Sequence, residues 1–126
     1  MGTVLYGVIE ELLRSGDEVW SDQWSELATV SFNKNYPLMA KLSTVCSNAR
    51  FTATGKESVS FRLYNRYQEG RGHAFQVRTR EELEDLLSTF GPCEPWVLKE
   101  LKATMAFIRT IHEMKRTELR VVFYRG

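Results

Sequence analysis

The alternation of apolar and polar positions is clearest in the second half of the chain. Val59, Phe61 and Leu63 alternate with Ser60, Arg62 and Tyr64, the period-two pattern of a half-buried strand. Asn65 to Gly72 is a long turn with two glycines, and Phe75 and Val77 then alternate with Ala74, Gln76 and Arg78. The two runs predict a hairpin. Thr79 with Glu82 three residues on forms a capping box, in which each side chain satisfies a backbone donor at a helix start. Leu83, Leu86, Leu87 and Phe90 share one face of the helix that follows, and Gly91-Pro92 stops it. Glu94-Pro95 opens a second helix, whose stripe of Trp96, Leu98, Leu101, Met105, Ile108 and His112 predicts about four turns. Leu119, Val121 and Phe123 alternate with Arg120, Val122 and Tyr124 in a last strand, which ties this end of the chain into the sheet.

The first half is harder to read. Val4 to Ile9 is rich in strand formers, while Glu10 to Leu13 favours helix. The turn signal Ser15-Gly16-Asp17 and the following Glu18-Val19-Trp20 favour a β-hairpin with the glutamates toward solvent, a short helix being the alternative. Trp20, Trp24 and Leu27 stand at helical spacing, so Ser21 to Val30 reads as a short helix or a connection. For the two tryptophans a core position is preferred to an interface anchor. Asn35 caps a further short helix with Pro37 in its first turn. Leu38, Leu42 and Val45 share its buried face, with Met39 beside them. The predicted order, β-β, short helix, β-β-α-α-β, gives one α+β domain over residues 1–126. Its small, mostly antiparallel sheet carries two consecutive C-terminal helices on one face.

Composition narrows the function classes. The chain has 126 residues, 43% of them hydrophobic, and a net charge of +1. There is thus no global basic field to draw it onto nucleic acid. No apolar run reaches the roughly 18 residues of a membrane span, and the first residues do not read as a secretory signal. Cys46 and Cys93 make neither a metal spacing nor a CxxC pair, which fits two reduced thiols in a cytoplasmic protein. Glu10, Glu11, Asp17 and Glu18 have no histidine at ligand spacing, so neither a metal nor a cofactor is expected. The chain also contains no phosphate loop, GxGxxG, nucleophile elbow or HExxH.

Two candidates for chemistry remain. His73, between Gly72 and a predicted strand, has the chemistry of a general base or of a donor to an anion. Arg62, Tyr64, Arg66, Tyr67, Arg71 and His73, with Arg78 and Arg80 nearby, form a basic and aromatic cluster. Arginine forks and tyrosine faces suit a phosphate, a nucleotide or an acidic protein. Arg62 and Tyr64, Arg78 on the partner strand, and Arg120 and Tyr124 on the last one would share an open sheet face.

Three blocks of residues carry a family resemblance. They are Leu5-Tyr6-Gly7-Val8-Ile9-Glu10 with Gly16 and Trp20; Asn35-Tyr36-Pro37-Leu38-Met39-Ala40-Lys41-Leu42-Ser43-Thr44-Val45 with Asn48; and Gly72-His73 with Thr79, Glu82 and Leu83. The chain resembles a group of small uncharacterised phage and prophage proteins. That group has an Asn-Tyr-x-Leu-Phe-Ala-x-Leu-Ala-x-Val signature and a Gly-His…Thr-x-x-Glu-Leu block, and its last strand is similar to Leu119–Phe123. Phe75 and Val77 stand where the group has a second histidine and a tryptophan, which counts against a two-histidine chemistry. The resemblance implies work in the cytoplasm of an infected bacterial host and adds Asn35, Tyr36 and Asn48 to the candidate binding positions.

The expected function is a non-catalytic phage accessory protein that binds a host protein or sequesters a nucleotide-like ligand, with countering host defence as the expected purpose. Three alternatives stand beside it. One is a small phosphate-ester or nucleotide enzyme using His73, and another is a nucleic-acid binder on the same face. The third is a structural or assembly protein, homodimeric through the exposed side of the Trp96-to-His112 helix.

Overall fold

In the computed structural model, residues 4–14, 23–44 and 76–125 are described. Strand β1 (Leu5–Arg14) is followed by β2 (Gln23–Ser31), helix α1 (Tyr36–Thr44), β3 (Gln76–Thr79), α2 (Arg80–Ser88), α3 (Pro95–Lys115) and β4 (Leu119–Arg125). The strands form one sheet in the order β2-β1-β4-β3, with every neighbouring pair antiparallel. The fold is α+β. The expected hairpin of Val59–Leu63 with the strand at Val77 lies outside the described residues, and here β3 pairs with β4.

Helices cover one face of the sheet. Leu38, Met39 and Leu42 of α1, Leu83 and Leu86 of α2, and Leu101, Met105 and Ile108 of α3 meet Leu5, Ile9, Val121 and Phe123 from the strands. Each such side chain, buried fully, contributes about 1.5–3 kcal/mol before chain entropy is counted. The two C-terminal helices are thus held to the sheet by leucine, methionine and isoleucine at helical spacing. The capping box at α2 is formed as the sequence predicts: Thr79 Oγ1 accepts from the Glu82 amide, and Glu82 returns a bond to the Thr79 amide at 3.2 Å.

The N-terminal hairpin exists, but its second strand is Gln23–Ser31, where a helix or a connection was expected. The register with β1 jumps between Ile9 and Glu10, so that Ile9 faces Ala28 and Glu10 faces Glu26. Leu27 is the extra residue, and a bulge of this kind breaks strict alternation. The period-two signal of β2 is thereby lost from the sequence, and the helix-like spacing of Trp24 and Leu27 arises by coincidence.

The glutamates of β1 are not on a solvent side. Glu10 is fully buried and Glu11 nearly so. Their strand lies between β2 and β4, and successive side chains point to opposite faces. Each meets a cation, Glu10 from Arg120 at 2.9 Å and Glu11 from Lys115 at 3.3 Å.

Helix α3 is longer than expected and turned. It has 21 residues and buries Val97, Leu101, Thr104, Met105 and Ile108. Trp96, which was placed on the core stripe, is half exposed at 52%. Thr104 can take a core position because its hydroxyl donates to the Glu100 carbonyl at 2.7 Å.

Candidate functional site

The chain enters α1 through Asn35, which is buried to 1% exposure. Its Oδ1 accepts from the Leu38 amide at 3.1 Å, as an N-cap should. Its Nδ2 donates to the Val97 carbonyl at 2.8 Å, joining the start of α1 to the first turn of α3. Both ends of the amide are therefore used by the fold. Tyr36, the next residue, is different. It begins α1 and its side chain is 54% exposed. The backbone beneath it is fixed by the Asn35 cap and the Asn35–Val97 bond, so the ring is presented from a rigid base.

Arg78 faces inward. It stands opposite Val121 on β4 and so lies on the helix-covered face. Its guanidinium donates to the Leu42 carbonyl in α1 at 2.9 Å and to the Val77 carbonyl at 3.2 Å, and the residue is 4% exposed. A cation bonded to a carbonyl in the last turn of a helix also complements the negative end of the helix dipole. Arg78 therefore does not share a face with Arg120, which stands opposite Glu10 and Thr79. Register explains the difference: Val77, not Arg78, is paired with Val122.

The face opposite the helices carries Tyr6, Val8 and Glu10 from β1 with Tyr124, Val122 and Arg120 from β4, paired in that order. It is not the open arginine face that parity suggested. Arg120 is 4% exposed, its Nε donates to Glu10 Oε1 at 2.9 Å, and its guanidinium lies 3.9 Å from the centre of the Trp24 ring. An ion pair so desolvated, with an indole stacked on the cation, holds β1, β2 and β4 in register. Tyr6 and Tyr124 stack with ring centres 5.4 Å apart. Burial, then the neighbouring Tyr6 and Glu26, pushes the Tyr124 phenol up.

Arg62, Tyr64, Arg66, Tyr67, Arg71, His73 and Asn48 lie outside the described residues. Among the described residues no group of three or more His, Cys, Asp or Glu side chains is placed to hold a metal, and no helix is long and apolar enough to cross a membrane. A cavity of about 30 Å³ lies between α1 and the ends of β1, β3 and β4, lined by Leu5, Met39, Leu42, Gln76, Phe123, Tyr124 and Arg125. It has room for a water or two and not for a nucleotide.

The helical layer also exposes Phe107 at 39% and Met114 at 74%, both on α3. The sequence signal for them is their spacing from Trp96, eleven and eighteen residues, which returns to the same side of a helix. No known protein family, no curated protein and no solved structure matches this chain.

Proposed function

We propose that this is a non-catalytic phage or prophage accessory protein that acts by binding a protein of its bacterial host, with Tyr36 as an anchor of the contact. The reading is carried by the contrast between two adjacent residues. Asn35 is explained by folding, since both atoms of its amide are bonded inside the molecule. Tyr36 is not, since more than half of its side chain faces solvent. A tyrosine on a fixed backbone offers large contact area at low entropy cost, which is why such residues dominate protein interfaces. The two residues also stand together in the block through which the chain resembles phage proteins. Occlusion of a host surface needs nothing more than this.

Native mass spectrometry of the protein purified from a prophage-bearing host, followed by a denaturing run, tests the proposal. The expected result is a co-purifying host polypeptide that Tyr36→Ala no longer retains. A nucleotide or small anion in its place, retained by Tyr36→Ala, would sink it in favour of ligand sequestration.

A further inference from the structure

We infer that the outer side of α3 is the contact face of an antiparallel homodimer. Trp96, Phe107 and Met114 fall within about 20° of one another around the helix, with Ala103 between them, and span about 27 Å. Trp96, Phe107 and Met114 are exposed by 52%, 39% and 74%. These side chains form an apolar line on the outside of the molecule, separate from the core stripe of Val97, Leu101, Met105 and Ile108. Tyr36 belongs to α1, so this inference stands whether or not that residue binds a host protein.

The charges beside the line identify the occupant. Arg109 is taken by Glu84 through two bonds of 2.6 Å, and Lys115 is taken by Glu11. On the flank shared by Lys99, Lys102 and Glu113, none of the three is in an ion pair among the described residues, and all are exposed. The two lysines lie in the first half of the helix and the glutamate in the second. In an antiparallel pair a flank meets the same flank of its partner, reversed. With the two-fold axis at the level of Met105, Trp96 meets the second copy's Met114, Ala103 meets its Phe107, and Lys99 comes within two residues of its Glu113. In a parallel pair this flank would face the opposite flank of the partner, and Lys99 of one copy would lie fourteen residues from Glu113 of the other. Only the antiparallel pair brings Lys99 of one copy close to Glu113 of the other. A two-helix contact of this length falls short of the ~800 Å² per partner of a standard interface, so the dimer should dissociate at roughly micromolar concentration.

Sedimentation equilibrium of the full chain over a concentration series tests this. The wild type should dimerise, while Phe107→Glu and Met114→Glu should each be monomeric with unchanged circular dichroism and melting temperature. Two sites guard against a misfolded variant, and Met114 is the more exposed. Lys99→Glu and Glu113→Lys should each weaken the dimer several-fold, and the double swap should restore it. In a Cys46→Ser background, oxidation should not link the exposed Cys93 thiols, because the two copies of Cys93 sit at opposite ends of an antiparallel contact. A wild type that stays monomeric at roughly 100 µM overturns the inference, that being well above the expected dissociation constant. So does a dimer indifferent to both glutamate variants. Ready Cys93–Cys93 disulfide formation overturns the antiparallel arrangement. A monomer that loses a captured host protein on Phe107→Glu assigns the face to a different partner.

Discussion

Single residues in this protein are legible once their environment is known, and Gly7 shows how. It lies in β1 on the helix-covered face, and a methyl group there would come 2.7 Å from Phe32 Cε2 and 3.1 Å from Val121 Cγ1. The Phe32 ring, fully buried and tilted against Phe123 at 5.6 Å, occupies the space a side chain would need. Gly7→Ala should therefore destabilise the fold by about 1–3 kcal/mol, as overpacking does, and urea denaturation would read it. An unchanged midpoint would mean that Phe32 moves aside at no cost. Arg78 teaches the opposite lesson about reading residues from a sequence. Its type suggested ligand binding, yet its guanidinium is bonded within the fold, to the carbonyls of Leu42 and Val77 and to Gln76 Oε1. Nothing local in the sequence announces that a guanidinium will be spent on a helix end thirty-six residues away.

At the scale of elements, locally encoded features were read correctly and features set by tertiary pairing were not. The Thr79–Glu82 box, the Asn35 cap and the proline start of α3 depend on neighbours within four residues, and all three are present. The bulge at Leu27 and the burial of Glu10 depend on which strands lie alongside β1, and no short window contains that. The Glu10–Arg120 pair makes this dependence measurable, because it joins positions 110 residues apart. Arg120→Met alone should cost about 3–5 kcal/mol, because it removes the cation that faces a buried carboxylate. The double variant Glu10→Leu/Arg120→Met should recover most of that loss, since paired apolar groups can replace a buried ion pair. A double variant as unstable as the single one would show that the pair does more than neutralise itself.

For the whole molecule, one sheet with helices packed on one face accounts for the fold class that the sequence predicted. The candidate site was legible only in part. Asn35 and Tyr36 were marked by resemblance, but their division of labour rests on burial, which no sequence pattern states. The exposed side of α3 is named from the sequence as a candidate interface, but its apolar line is not, because Trp96 is assigned there to the core stripe. The stability of the whole also carries a titration signature. The Tyr124 phenol is raised above its ordinary value, mainly by burial. Above about pH 10 the unfolded chain loses this proton while the folded chain keeps it. The contribution is thus intact below that pH and is lost as pH rises toward the folded value. Tyr124→Phe should flatten the fall of the denaturation midpoint above about pH 10. An equally steep fall in the variant would place the alkaline sensitivity elsewhere.

The most direct test of the account is a paired measurement of melting temperature and host-protein retention for Asn35→Ala and Tyr36→Ala. Asn35→Ala should lose about 2 kcal/mol, from a cap and a buried hydrogen bond together. Tyr36→Ala should lose the co-purifying host protein while its stability stays within about 0.5 kcal/mol of the wild type. If Tyr36→Ala melts early, or keeps the host protein, then Tyr36 is not the anchor and the proposed division between a structural asparagine and a binding tyrosine is wrong.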